Sequence, residues 1–288
     1  MSTQPAAPDA LPPYQVRTHN ASEQSENRMH SDEVARQFGF KGAHVPGVTV
    51  FAHMTRPLVE RFGEEWLGRG IAEVSFSKPA YEGELLTVSS RAVAEPVGQQ
   101  DSLDSRMRGN DVELTCTNEE GVELARMTSH IPPSSPPVDP RSDIAPAPPL
   151  AERPLVTWDL MEVGKPFPAL AWAPTAADNM QWCEDVRDDL AIYRTGDDAP
   201  IHPGFVLRQA NFVLRNRFTL PAWIHTGSRI VFHEVLRIGR EYEVRANPEE
   251  KWERKGHQFV RLYVAIRRGN ETMVEISHTA IFQPRPRS

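Results

Sequence analysis

The residues best suited to chemistry lie between Asn27 and Gly47. Asn27 and His30 stand three apart in a polar segment, and Val45, Pro46 and Gly47 lead into an apolar helical pattern. The first backbone N–H groups of a helix have no partner inside it, so they can hold an oxygen that gains negative charge. A histidine beside such a helix start can transfer a proton. The spacing therefore predicts a site that polarises a carbonyl and moves a proton.

The element that must position Gly47 is a helix over residues 46–62. Its apolar residues recur at spacings of three and four, which predicts one broad apolar face, and Gly68 and Gly70 are expected to end it. A short strand at 14–18 and a helical turn at 31–38 precede this helix. Four strands are predicted after it: 71–76, 85–94, 112–117 and 122–131.

The second half of the chain repeats the first. The pair Pro46-Gly47 matches Pro203-Gly204 at an offset of 157 residues. Four further pairs match at an offset of 156: Phe62 with Phe218, Phe76 with Phe232, Gly83 with Gly239, and Val88 with Val244. A second helix is predicted at 205–218. Four more strands follow: 228–235, 241–246, 257–267 and 272–282.

This repeat predicts an α+β fold of two units, each a long helix wrapped by a bent antiparallel sheet. The two sheets are expected to pair edge to edge, because an unpaired edge is a liability. We predict a disordered tail over 1–13 and an N-terminal unit over 14–131 that carries the site. Residues 132–154 contain nine prolines and are predicted to form a semi-rigid linker. The C-terminal unit is predicted to span 155–283.

Composition limits the classes of function. The net charge of -7 argues against a general nucleic-acid binder. No apolar run approaches the length needed to cross a bilayer, and no signal peptide is visible, so we expect a cytoplasmic protein without a membrane partner. Cys116 and Cys183 are predicted to be buried, reduced thiols rather than a disulfide framework.

With these residues in order, the chain resembles the double hotdog proteins of the MaoC-like, (R)-specific enoyl-CoA hydratase family. The fingerprint of that family sets an asparagine three residues before a histidine, then an alanine, matched by Ala35, and a glycine that opens the central helix. The resemblance implies that His30 is catalytic and that the Gly47 N–H holds the thioester carbonyl, with Val45 and Pro46 beside it. Arg28 stands where the family usually has proline.

One departure from the family bears on mechanism. The family has a catalytic aspartate five residues before the histidine, and this chain has Ser25 there. A serine can orient a water molecule but cannot serve as a second acid–base group near neutral pH. Losing such a group typically lowers a rate by about 10²–10⁴-fold. The leading interpretation is a hydratase or dehydratase in which His30 moves the proton while Ser25 and Asn27 hold the water.

Two alternatives stay open from the sequence. The protein could bind acyl thioesters after losing catalysis, as the missing aspartate suggests. It could also be a hotdog thioesterase, for which Glu60 and Glu64 are the acidic candidates on the first helix. The second unit has no histidine at the position equivalent to His30, although His202 precedes its helix and is expected to hydrogen-bond the backbone there.

The expected ligand is an acyl-CoA or an acyl-carrier thioester, with coenzyme A entering only as part of the substrate. No metal or redox cofactor is predicted, since the other histidines have no metal-ligand spacing. These histidines are His225, His233, His257 and His278. An acidic run at Asp185, Asp188 and Asp189 is interpreted as a solvated helix face. The sequence also allows two such chains to associate as a homodimer.

Overall fold

The computed structural model describes residues 10–23, 25–92 and 111–285. Within them the α-helices are α1 (Asp32–Gln37), α2 (Gly47–Phe62), α3 (Glu64–Arg69), α4 (Ala176–Asp185) and α5 (Pro203–Arg217). The strands of the first half are β1 (Tyr14–Arg17), β2 (Ile71–Phe76), β3 (Leu85–Ala92), β4 (Val112–Thr117) and β5 (Glu123–His130). Those of the second half are β6 (Leu170–Trp172), β7 (Ile224–Phe232), β8 (Tyr242–Arg254), β9 (His257–Arg268) and β10 (Glu271–Gln283).

These strands form one continuous sheet in the order β1-β3-β4-β5-β2-β7-β10-β9-β8-β6. The order in the second half mirrors that in the first, with β2 and β7 joined at the centre. Their antiparallel pairing is centred on Glu73 opposite Arg229, which stand 156 residues apart. This separation equals the offset of the sequence repeat, so the predicted edge-to-edge pairing and its pseudo-two-fold axis are confirmed.

Helices α2 and α5 occupy the middle of the fold, where the sheet curves around them. Both bury most of their length, and their starts cross at close range. A Cβ atom added to Gly204 would lie 2.8 Å from the Cβ of Ala52 and 3.2 Å from the carbonyl oxygen of Val48. Glycine at this helix start therefore meets a packing need, because the two backbones approach too closely for a side chain.

Replacing Gly204 with alanine is expected to lower the free energy of unfolding by about 1–2 kcal/mol, since overpacking outweighs the gain in helix propensity. Equilibrium urea unfolding measures this. The matched control is Gly68→Ala in α3, where the nearest contact is a single methyl group of Val235 at 3.1 Å. That control is expected to change stability by no more than about 0.5 kcal/mol. A Gly204→Ala variant as stable as wild type would contradict the close approach.

Several boundaries differ from the sequence expectations. Helix α2 ends at Gly63, whose φ of 54° favours glycine, and the separate helix α3 extends to Arg69 before Gly70. Helix α4 and strand β6 were not predicted. Strand β8 runs to Arg254 through Pro248, because a bulge between Pro248 and Glu250 removes the need for a donor there.

The start of the ordered chain also differs from the prediction. Leu11 is buried in the core, and its carbonyl oxygen accepts a hydrogen bond from the Ser90 hydroxyl at 3.1 Å. The predicted tail is therefore too long at its C-terminal end, and its residues 1–9 lie outside the described part of the chain. Residues 93 and 94 of the predicted strand 85–94 also lie outside it. The buried, unpaired state expected of Cys116 and Cys183 is confirmed.

Candidate active site

The six residues that the sequence singles out line one cavity of about 270 Å³. They are Ser25, Asn27, His30, Val45, Pro46 and Gly47. The cavity lies between the two halves, because strand β7 and helix α5 supply its opposite wall. Residues far apart in the chain thus meet at a site whose six predicted residues all belong to the first half.

The segment before α1 is fixed by backbone hydrogen bonds on both sides. A single 3-10 turn, Arg28–His30, follows Asn27, whose side chain caps it. On one side the N–H of His44 donates to the carbonyl of Met29 at 3.1 Å. On the other, the N–H of Arg28 donates to the carbonyl of Pro221 at 3.0 Å. The turn that carries His30 is therefore held both by the approach to α2 and by the second half.

Asn27 is buried, and its side-chain amide connects residues of both halves. Its Oδ1 accepts hydrogen bonds from the N–H groups of Met29 (3.2 Å) and Trp223 (3.1 Å). Its Nδ2 donates to the Trp223 carbonyl at 3.0 Å and to Nε2 of His30 at 3.1 Å. All four hydrogen-bonding positions of the amide are in use. The structure thus gives Asn27 a different task from the predicted binding of water, because it orients His30 and joins the two halves.

Both ring nitrogens of His30 have defined partners. Nδ1 donates to the carbonyl of His44 at 2.6 Å, which fixes the proton on Nδ1 and leaves Nε2 as the acceptor for Asn27. Burial lowers the pKa of His30 to about 4, although the bond to the His44 carbonyl acts in the opposite direction. Burial and the neighbouring His30 also lower the pKa of His44 to about 4. His30 is therefore a neutral imidazole whose only lone pair is on Nε2.

The start of α2 is open toward the cavity. No described residue accepts a hydrogen bond from the N–H of Gly47, and the residue before it, Pro46, has no side chain that could cap the helix. His44, which anchors the His30 ring, precedes Gly47 by only three residues. The imidazole and the unsatisfied amide are therefore close neighbours along one short connection.

The equivalent start of α5 is closed. The Gly204 N–H donates to Nδ1 of His202 at 3.0 Å, as does the indole N–H of Trp182 at 3.2 Å. Nε2 of His202 donates to Asp188 at 3.1 Å. The expectation that His202 bonds the backbone is confirmed. The interpretation of Asp188 as solvated is wrong, because this carboxylate is buried between His202 and Arg56, which bonds it at 3.1 Å.

Among the described residues, no carboxylate contacts the His30 ring. Ser25 lines the cavity, and its hydroxyl donates to the Asn27 carbonyl at 3.4 Å. Glu26 is not among the described residues that line the cavity, and its carboxylate bonds Arg215 at 3.0 Å and Arg153 at 3.1 Å. Burial alone would raise the pKa of Glu26, but the hydrogen bonds from these two arginines outweigh it and lower the pKa. Glu26 is thus held as an anion outside the reaction centre.

The residues proposed for a thioesterase do not reach this cavity. Glu60 and Glu64 are exposed, and Glu64 pairs with Arg237. Neither is among the described residues that line the cavity.

The second half contributes groups that sequence reasoning did not assign to the site. One face of α5 lines the cavity with residues at helical spacing: Arg208, Asn211, Phe212 and Arg215. Strand β7 adds His225, whose Nδ1 lies 3.0 Å from where a Cβ on Gly47 would be. Nε2 of His225 bonds the Ser228 hydroxyl at 2.8 Å, which contacts Nδ1 of His278 at 3.0 Å. The spacing of three and four on α5 was the signal that could have revealed this wall.

A second cavity of about 710 Å³ lies under the proline-rich linker. Its lining combines linker prolines with charged residues of both signs and includes none of the predicted site residues. Within the described ranges, no three potential ligands converge as a metal ion would require. No helix in these ranges is long and apolar enough to cross a lipid bilayer.

No protein-family profile matches the sequence, and no curated protein matches it significantly. Solved structures do resemble the fold. A MaoC domain protein from Chloroflexus aurantiacus J-10-fl, to which a dehydratase activity is ascribed, is 12% identical, with 96% of this chain and 94% of that chain covered and a TM-score of 0.62. A conserved hypothetical protein from Mycobacterium tuberculosis with a double hotdog fold is 13% identical, with 95% and 96% covered and a TM-score of 0.59.

A third structure, a MaoC-like dehydratase, is 12% identical over 93% of this chain and 97% of its own, with a TM-score of 0.57. These similarities extend over nearly the full length of both partners and therefore include both halves and their central pairing. They confirm the architecture that the sequence repeat predicts. The chain has the double hotdog fold, which it shares with MaoC-like dehydratases.

Proposed function

We propose that the protein hydrates or dehydrates an acyl thioester in the cavity between its halves. The observation that supports this most directly is the pairing of a fixed, neutral His30 with the unsatisfied Gly47 N–H in one cavity. An oxygen of a thioester that gains charge needs such a donor, and the carbon beside it needs a base. The same fold in MaoC-like dehydratases agrees with this proposal.

The proposed reaction uses one base. In the dehydration direction, Nε2 of His30 exchanges the Asn27 N–H for the substrate and takes the proton from the carbon next to the thioester carbonyl. The electron pair moves onto the carbonyl oxygen, which the Gly47 N–H holds. The imidazolium then returns its proton to the hydroxyl group on the next carbon, the carbon–oxygen bond breaks, and water leaves as the double bond forms. Hydration is the reverse sequence.

The low pKa of His30 suits the second step better than the first. A buried imidazolium is a strong acid, so it protonates a leaving hydroxyl group readily, whereas the neutral ring is a weak base. A negative charge on the oxygen at Gly47 would raise this pKa during the reaction, since opposite charges close together stabilise each other. Ser25 can orient the water molecule but adds no second base.

Restoring a carboxylate tests this account. The Ser25→Asp variant is expected to hydrate crotonyl-CoA about 10²-fold faster than wild type, because it supplies a second acid–base group at the cavity wall. The assay follows loss of the conjugated double bond by absorbance. Ser25→Asn is the matched control of similar size and is expected to gain nothing. If wild type and Ser25→Asp are both inactive with crotonyl-CoA and longer enoyl-CoAs, the hydro-lyase proposal is wrong.

A second candidate function is binding of an acyl thioester without turnover. It is favoured by one observation, the lack of any described carboxylate beside the His30 ring, whose Nε2 is already bonded to Asn27. Calorimetry with butyryl-CoA distinguishes the two. Binding by a wild type that has no hydratase activity, combined with activity in Ser25→Asp, would assign the natural chain to binding.

A further inference from the structure

The cavity contains a cation, Arg208, with which no described carboxylate pairs. Arg208 lines the cavity from α5 and is only partly exposed. No described carboxylate bonds its guanidinium group, whereas Arg215, two turns along the same helix face, is paired with Glu26. Burial lowers the pKa of Arg208, and the more distant Asp185 offsets this only in part. A partly buried charge without a counterion is costly unless a ligand supplies one.

The guanidinium group is held in place by aromatic rings. It lies 5.1 Å from the ring centre of Trp182 and 4.6 Å from that of Phe212. Trp182 is itself fixed, because it stacks on Phe205 at 5.7 Å and its N–H donates to His202. Cation–π contacts of this kind stabilise an arginine while leaving its N–H groups free in the plane of the guanidinium. The site is therefore ordered before a ligand arrives.

The position of Arg208 relates it to the acyl group rather than to the carrier. It lies one turn after Gly204, roughly 6 Å along the helix axis. Gly204 packs against the first turn of α2 at Val48, which follows the Gly47 amide directly. A thioester carbonyl held at Gly47 would thus have its acyl chain within reach of Arg208. Lys78, by contrast, lines the same cavity but is exposed, as suits the phosphate groups of a carrier.

We propose that Arg208 binds a carboxylate on the acyl group, so that the preferred substrates are thioesters of dicarboxylic acids. This proposal rests on the proposed function, since it places an acyl thioester in the same cavity. The planar guanidinium group can form two parallel hydrogen bonds to a carboxylate, which gives both affinity and orientation. A neutral acyl chain would leave the cation without a partner and bind less tightly.

Calorimetric titration tests this with three ligands: coenzyme A, butyryl-CoA and succinyl-CoA. The two acyl groups have the same number of carbons and differ in the terminal carboxylate. Wild type is expected to bind succinyl-CoA at least about tenfold more tightly than butyryl-CoA. Arg208→Gln is expected to remove this preference and to leave the affinity for butyryl-CoA and coenzyme A within about twofold. Circular dichroism and the melting temperature show whether the variant is folded.

The possible results distinguish a carboxylate on the acyl group from a phosphate on the carrier as the anion that Arg208 binds. If Arg208→Gln weakens all three ligands equally, the guanidinium group meets a carrier phosphate and the carboxylate subsite is refuted. Lys78→Gln is expected to weaken all three, and serves as the reference for that pattern. Equal binding of butyryl-CoA and succinyl-CoA by wild type would refute the carboxylate subsite alone. If no ligand binds wild type, the acyl-thioester function fails as well.

Discussion

Replacing His30 with glutamine is expected to lower kcat for hydration of crotonyl-CoA by about 10³-fold. If wild type is slow, this reduction brings the rate down to the background of the assay. Glutamine is uncharged and close in size to the imidazole, so the local backbone should persist. It has no lone pair basic enough to accept a proton from carbon. The loss is therefore expected in kcat, while the dissociation constant of butyryl-CoA stays within about threefold.

The matched control is His53→Gln. His53 is also buried, but it lies inside α2 and contacts the Thr18 hydroxyl at 3.2 Å rather than the cavity. This variant is expected to lose stability and to keep its activity per folded molecule. If the His30→Gln variant keeps at least a third of the wild-type kcat, His30 takes no part in the reaction. Ligand binding would then be the only role left for His30.

Acidification from pH 7.5 to pH 5.5 is expected to lower the free energy of unfolding by an amount on the order of 7 kcal/mol. Five histidines have a lowered pKa, with burial as the main cause; four are buried and His30 is partly buried. They are His30 and His44 at about 4, His53 and His278 at about 3, and His225 well below its usual value. In the unfolded chain each would titrate near pH 6.5, so below that pH the unfolded state binds more protons. Stability is full above pH 6.5 and falls as the pH drops toward 4.

Urea unfolding at several pH values between 5 and 8 measures this slope. Each buried histidine adds about 1.4 kcal/mol per pH unit below its unfolded pKa. His53→Gln should reduce the slope by one proton. A free energy of unfolding that differs by less than about 1 kcal/mol between pH 7.5 and 5.5 would contradict the neutral, buried state of these rings.

The regular elements of the fold could be predicted because periodicity determines them. Strands 71–76 and 112–117 have the predicted bounds, and α2 begins one residue later than expected. Helix α4 was missed because only three of its ten residues are buried, namely Asn179, Trp182 and Cys183. None of these is aliphatic, so no apolar stripe appears in the sequence. Its structure depends on contacts with the start of α5 that are distant in the chain.

The site was predictable only on the side that lies in one continuous segment. The relation of His30 to the start of α2 follows from their short separation. The partner of Asn27 is Trp223, nearly two hundred residues later, and no local pattern connects them. His225 and Arg208 belong to the second half. Arg208 lies in the predicted helix 205–218, and His225 precedes the predicted strand 228–235. Their role depends on the pairing of β2 with β7, which brings both walls of the cavity together.

The starts of α2 and α5 differ, because only the Gly204 N–H has a hydrogen-bond partner among the described residues. This difference affects how the sequences of the two halves can diverge. In a homodimer every substitution occurs in both subunits. A substitution that inactivates one copy of a pocket therefore inactivates the other copy as well. After gene duplication and fusion this symmetry no longer constrains the sequence. In one copy the amide at the helix start can then be hydrogen-bonded by an imidazole and a carboxylate behind it, as by His202 and Asp188 here. The helix of that copy can line the cavity of the other copy and select its ligand. Substitutions that retune ligand choice should therefore accumulate on α5 while the His30 segment changes little.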